Sequence, residues 1–405
     1  MITKYSAITF LLTAVLLINC SSKKTSKKAS SDIPHWLTDY EEVYMENPEK
    51  ASLHWFKDAK FGMFVHLNLA SLCENGKADY ILWKEGKAPG RLLDFVGIAK
   101  DAYENSVNKD SLLATKYKLE NFDADAICQL AVAAQMKYIN LTTQHLGRLY
   151  NFETKTSEHN STNAPVGRDL VKELSEACKK HGLALFLYLP PEFAMTTPER
   201  RELNLTIIKE LLTNYGPIAG IWFDGIGLYY KNTENYSRLN ETYRFIKELQ
   251  THCLVSFKEG AECGEDFLTP EHFMLPFEYD FQNEGIQERW KIRDERWAKH
   301  NAEKWESCNK YKLREVNSVM QICKGRDNLH VPSGWINDES ARHLSADEVH
   351  YWLTYARFNG ANLLMNIGPR PDGSVHPDDV KALTEVGKII KEKGWPGIVH
   401  KIPEK

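Results

Sequence analysis

The feature that most limits the fold is a recurring pattern. From residue 55 onward, short apolar runs alternate with longer stretches of helical spacing. The runs at 61–66, 137–143, 183–188, 220–223, 253–257, 316–322 and 361–369 are near-continuously apolar, as expected of strands covered on both faces. Between them, 123–135, 169–181 (closed by Gly182), 198–214, 237–250, 346–357 and 378–393 read as helices. A sixth strand near 277–281 brings the number to eight. Such an alternation predicts an α/β chain folded as a (β/α)8-like (TIM) barrel across residues 33–405, with no later run of strands able to build a separate β-sandwich. The polar stretch 71–115 is too long for an ordinary connection and predicts an irregular loop over the site.

Within this pattern, Gly220-Ile221-Trp222-Phe223-Asp224-Gly225 carries the clearest chemical signal, because the apolar run ends abruptly in a carboxylate followed by glycine. In α/β barrels the chemistry gathers where the strands end. Asp224 is therefore a candidate catalytic carboxylate, although an Asp before Gly also makes turns and caps helices.

The N-terminus carries a different signal. Lys4 precedes an apolar run, 7–18, that is too short to cross a bilayer and stops at Cys20. The tetrad Leu17-Ile18-Asn19-Cys20 resembles the lipobox of bacterial lipoproteins, in which the cysteine is lipidated. Residues 1–20 are thus expected to be a lipoprotein signal with Cys20 as anchor. The Ser/Lys-rich 21–32 reads as a flexible tether, and the destination is the cell envelope with a lipid link to membrane. The other seven cysteines show no metal spacing. Their odd number leaves at least one free thiol, and buried free cysteine is the default reading, with a disulfide open. A net charge of −4 gives no basic face for nucleic acid. Phosphate-binding glycine loops, HExxH and Gly-x-Ser-x-Gly are absent, and no metal or cofactor is expected.

Four stretches together resemble glycoside hydrolase family 29, the α-L-fucosidases. They are Trp55 to His66, Leu141-Thr142-Thr143-Gln144-His145, Gly220 to Gly225, and Asn362 to Pro369. The resemblance implies a (β/α)8-like catalytic barrel and a retaining exo-glycosidase acting on terminal α-L-fucosyl residues of oligosaccharides. It assigns Asp224 as nucleophile. It also makes Asp266-Phe267-Leu268-Thr269-Pro270-Glu271 similar to the segment carrying the acid/base, hence Glu271, with Glu278, Glu259 and Glu315 as alternatives.

His66, His145, Tyr188 and Lys258 match sugar-site positions, and Trp222 or Trp83 either faces the apolar side of the ring or serves as core. The chain departs from the family pattern in having Leu146 and Gly147 after the first histidine of the pair, Leu67-Asn68 after the first strand, and Lys258 where an arginine is usual. These departures bear on which sugar is taken. They leave open a fucose-like sugar such as L-galactose, or a non-catalytic glycan-binding lipoprotein on a degenerate barrel.

Overall fold

A computed structural model describes residues 33–190, 197–226, 236–270, 295–323, 334–399 and 401–402. Residues 1–32, with Cys20, therefore lie outside the described residues, as do Glu271, Glu278 and the stretch 277–281.

The described residues from 34 onward form one compact unit. Its centre is a closed parallel barrel of eight strands, each paired with its neighbours in sequence order and the last with the first. The strands are β1 (Phe61–Val65), β2 (Tyr138–Thr142), β3 (Ala184–Leu189), β4 (Gly220–Phe223), β5 (Leu254–Phe257), β6 (Phe267–Leu268), β7 (Leu313–Val319) and β8 (Asn362–Ile367). All but the first residue of β7 are buried. This is why most of these strands read as near-continuous apolar runs, although β7 also buries Arg314, Glu315, Asn317 and Ser318.

Helices precede and separate the strands. They are α1 (Glu41–Glu46), α2 (Pro48–Ala59), α3 (Gly76–Lys84), α4 (Gly90–Val96), α5 (Lys100–Asn105), α6 (Lys109–Ala114), α7 (Ala124–Ala133), α8 (Leu170–His181), α9 (Pro198–Asn214), α10 (Tyr236–Leu249), α11 (Glu295–Ser307), α12 (Ala346–Phe358) and α13 (Pro377–Lys393). Their ends carry local stop signals. Asn47, Asp123, Asp169 and Thr197 accept the orphan backbone N–H groups of α2, α7, α8 and α9, and Gly182 closes α8 in the left-handed region.

The lower end of the barrel, at the strand N-termini, is plugged by α2. The Phe56 ring meets Phe267, Tyr138 and Phe186 at 4.4–5.9 Å, and Trp55 stacks on Phe186. Asn362 ties the plug to β8, donating to the Phe56 carbonyl and accepting from the Lys60 N–H. The glycines of the first and fourth strands make room for this packing. A Cβ on Gly62 would lie 2.3 Å from the Tyr138 ring, and one on Gly220 would lie 2.4 Å from Phe186.

Three expectations are corrected. The sixth strand is the two-residue β6 at 267–268, too short to register as an apolar run. The seventh begins at Leu313 rather than 316, and Gln321–Ile322 instead pairs antiparallel with Arg342–His343. The excursion 71–115 is largely helical, α3 to α6, with no helix longer than nine residues. Trp83, Leu92, Leu93, Val96, Tyr103 and Leu113 bury their side chains together, too few per helix to show as a long amphipathic pattern. Trp83 is wholly buried with its indole bonded to the Lys109 carbonyl, so it packs this helical excursion and does not face a sugar.

Of the seven remaining cysteines, Cys263 and Cys308 are joined in a disulfide, and Cys73, Cys128, Cys178 and Cys253 are buried thiols. The bond staples the segment after β5 to the turn before β7. Among the described residues, no helix is long and apolar enough to cross a membrane.

Candidate active site

The strand register assembles the site. Phe223 of β4 pairs with Phe257 of β5, so the next residue of each strand, Asp224 and Lys258, emerges side by side at the upper rim. Tyr188 of β3 pairs with Trp222, two residues before Asp224 and on the same side of β4. The contacts follow from this placement. The Lys258 ammonium lies 2.9 Å from Asp224 Oδ1, the Tyr188 hydroxyl donates to Oδ2 at 2.8 Å, and the Gly225 N–H donates to Oδ1 at 2.5 Å. Gly225, at φ +85°, makes the turn that brings its own N–H back to the carboxylate.

Burial by itself would raise the Asp224 carboxyl. The neighbouring Lys258 charge, the hydrogen bonds of Lys258 and Tyr188, and the Gly225 N–H reverse this and hold it at about 2. Asp224 is thus a carboxylate at neutral pH.

His66 continues β1. Its Nδ1 lies 2.5 Å from Asn366 Oδ1, and Asn366 in turn donates to the Trp335 carbonyl. Because the amide oxygen accepts, Nδ1 carries the proton and Nε2 is left as an acceptor. Burial, reinforced by His145 and Lys258, lowers the His66 pKa well below its ordinary value, so the ring is neutral. The His145 ring stands edge-on to His66 at 5.3 Å and lies 5.5 Å from Tyr188. His66, His145, Tyr188, Asp224 and Lys258 therefore share one mouth, drawn from five positions spread over nearly 200 residues.

Trp222 sits one layer deeper. It is 1% exposed, packed against Tyr188 at 5.6 Å and Phe64 at 5.4 Å, with the Lys258 ammonium 4.5 Å from its ring centroid. It lies beneath Tyr188 and Lys258 as part of the core, which is the second of the two readings its sequence left open. The aromatic ring at the rim is instead half-buried Trp335, 5.0 Å from His66. No apolar run or motif marks Trp335 in the sequence. Asn366 lies within the stretch Asn362 to Pro369, where nothing local marks it as the partner of His66.

Of the carboxylates expected as acid/base, Glu271 and Glu278 lie outside the described residues. Glu259 follows Lys258 and is buried. Glu315 lies inside the barrel, bonded to Tyr138, Trp222 and Thr269, where no leaving group can reach it. Asp266 opens β6 on the opposite rim, paired with Lys247 at 2.8 Å. Among the described residues, no group of three or more His, Cys, Asp or Glu is placed to hold a metal ion.

The sequence profile of one family, described as Alpha-L-fucosidase, matches residues 30–395. The chain belongs to the alpha-L-fucosidase family. This fucosidase-family chain is 24% identical to an alpha-L-fucosidase of Dictyostelium discoideum, over 83% of its own length and 69% of the relative's. It is 23% identical to tissue alpha-L-fucosidase of Mus musculus, over 84% and 70%. Among solved structures, it matches alpha-L-fucosidase isoenzyme 1 from Paenibacillus thiaminolyticus with a TM-score of 0.64 and 22% identity, covering 86% of this chain and 77% of that one. Alpha-L-fucosidase AlfC from Lactobacillus casei, in complex with alpha-L-fucose, matches with a TM-score of 0.57 and 23% identity over 84% and 98%. At these identities the structural matches speak to the shared barrel fold. Family membership makes the chain a glycoside hydrolase.

Proposed function

We propose that the chain is a retaining exo-α-L-fucosidase that removes terminal α-L-fucosyl residues from glycans by double displacement. The observation that carries this reading is Asp224, a carboxylate at the barrel mouth held ionised by Lys258 and Tyr188 beside two histidines. In the first step an Asp224 oxygen attacks the anomeric carbon while the acid/base gives its proton to the departing glycosidic oxygen. In the second, water loses a proton to that same acid/base and displaces Asp224, which restores the anomeric configuration. Retaining chemistry needs two carboxyl groups about 5–5.5 Å apart, one ionised and one protonated.

We assign the second role to Glu271, which follows Thr269 by two positions in the sequence. Thr269 is delivered into the barrel interior at the end of β6. Neutral His66 offers a ring nitrogen that accepts from a sugar hydroxyl, and the Trp335 ring supplies an apolar wall. The Lactobacillus casei enzyme has been seen with Fuca(1,6)GlcNAc, which supports a fucosyl oligosaccharide as the substrate class.

Leu146 favours a second reading of the sugar. Where the family pattern has a second histidine, this partly buried leucine packs against the apolar core and can give no hydrogen bond to a ring hydroxyl. That loss fits a fucose-like sugar such as L-galactose. The location we infer is the cell envelope, through a lipid on Cys20. Intact mass of the mature protein tests this, because it requires loss of residues 1–19 and gain of a lipid.

The deciding experiment follows an aryl α-L-fucoside and a fucosylated oligosaccharide by proton NMR from the first turnover. The α-anomer of free fucose appearing first supports the proposal. A β-anomer sinks the retaining mechanism, and preferred turnover of L-galactosides moves the substrate. Binding without any turnover makes the chain a glycan-binding lipoprotein.

A further inference from the structure

One carboxyl group lies deep in the barrel and takes no part in the sugar chemistry above. Glu315, on β7, is 1% exposed and is met from three strands. Its Oε2 accepts from the Tyr138 hydroxyl of β2 at 2.6 Å, and its Oε1 accepts from the Thr269 hydroxyl after β6 at 2.8 Å and from the Trp222 indole N–H of β4 at 3.1 Å. The Thr269 hydroxyl also accepts from that indole at 3.0 Å and from Asn317 at 2.8 Å. Every donor is neutral, and no salt bridge reaches the group among the described residues. A buried carboxylate without a cation is costly, whereas an amide would hold the same indole at less expense in desolvation. What the carboxyl group adds is the ability to change charge. Burial pushes it up to about 7, against the three hydrogen bonds that oppose the shift.

The indole it grips supports the site from below. The Trp222 ring carries Tyr188 against one side and has the Lys258 ammonium 4.5 Å from its centroid. Both side chains bond oxygens of Asp224. An ionised Glu315 draws on the indole N–H, anchors the ring and makes its face more attractive to the ammonium. A protonated Glu315 loosens that hold.

We propose that Glu315 is a positioning residue for the reaction, an anchor that acts through Trp222 to set Lys258 and Tyr188 on Asp224. The groups around it are consistent with a single local titration. Tyr138 faces it from β2 and is itself pushed well above its usual range, chiefly by burial and then by Glu315, with Arg357 of α12 opposing the shift. The Asp224–Lys258 pair, from the ends of β4 and β5, lies beyond the Trp222 ring. Asn317 on β7 and Asn362, the register partner on β8, do not titrate. The effect on rate rests on the reading of Asp224 as nucleophile, but the anchor itself can be observed without a sugar.

The test uses the full chain labelled with 15N at tryptophan, with the Trp222 indole resonance assigned by Trp222→Phe. In the wild type this resonance is expected to shift with one midpoint between about pH 6 and 8, and in Glu315→Gln it is expected to stay still. In parallel, Glu315→Ala lowers kcat on an aryl α-L-fucoside by about tenfold or more with a smaller change in KM. Glu315→Gln recovers most of that loss but lacks the pH limb at the indole midpoint. Should Glu315→Ala fail to fold, the Gln variant carries the test through its own resonance and pH profile. A wild-type indole that does not titrate, or a Gln variant whose pH profile superimposes on the wild type, overturns the proposal. If the indole titrates while the wild type turns over no fucoside, the buried anchor stands and the fucosidase reading is what fails.

Discussion

The Lys258 ammonium reaches Asp224 Oδ1 at 2.9 Å from a backbone held at φ +48°, a conformation that costs a non-glycine residue on the order of 1 kcal/mol. The strain sits where the strand register already brings the two residues together, and it turns the lysine inward to its partner. Replacing Lys258 with Met leaves burial as the dominant influence on Asp224, so its carboxyl rises from about 2 toward or above the ordinary 3.8. The expected result is a loss of about 10²-fold or more in kcat/KM and an acid limb displaced to higher pH. Lys258→Arg keeps the charge and is expected to lose much less. A pH–rate profile for each variant reads both effects.

Asp224→Ala removes the proposed attacking group and is expected to lower kcat on an aryl α-L-fucoside by about 10³-fold or more, equivalent to about 4 kcal/mol of barrier. Added azide can take the vacated place in Asp224→Gly. It would yield a glycosyl azide of inverted configuration, identified by NMR. Residual wild-type turnover in Asp224→Ala would remove Asp224 from the mechanism.

Below the barrel, Asp266 is raised to about 6 by burial, against the Lys247 ammonium that lies 2.8 Å away. Its folded value lies above its unfolded one, so the stability it contributes is complete below about pH 3.8 and is lost as pH rises through about 6. Lys247→Met leaves an uncompensated carboxylate and drives that value higher still. The variant should therefore be close to wild type at pH 5 and less stable by about 3 kcal/mol at pH 8. Thermal denaturation at the two pH values measures the difference, and an equal loss at both would count against the assignment.

The disulfide between Cys263 and Cys308 encloses 45 residues of sequence separation, including β6 and the stretch that holds Glu271. Cross-linking a loop of that length stabilises by up to about 4 kcal/mol through the unfolded chain. Reduction with a dithiol, or Cys263→Ser with Cys308→Ser, is expected to lower the melting temperature by several degrees. Electrophoretic mobility before and after reduction confirms the bond, and an unchanged melting curve would refute its contribution.

Most of the barrel was legible because strands covered on both faces are largely apolar, as Phe61–Val65 is throughout and Asn362–Ile367 is but for its two asparagines, while the helices carry caps such as Asp169 and Gly182. Phe267–Leu268 escaped because two residues make no run. The helices α3 to α6 escaped because each buries too few side chains to show a period. Within the site, Asp224 could be read from its place at the end of an apolar run. Trp335 and the buried role of Glu315 could not, since neither stands in a local pattern that implies its neighbours.

The sequence alone determined the alternation, the class of fold and the place of Asp224 at the end of a strand, because hydrophobic period and strand termination are local properties of the chain. The tertiary structure decided which residues meet. Closing eight strands in register puts Lys258 beside Asp224, Tyr188 over Trp222, and Glu315 beneath them, contacts set by barrel geometry between residues 34 to 93 positions apart.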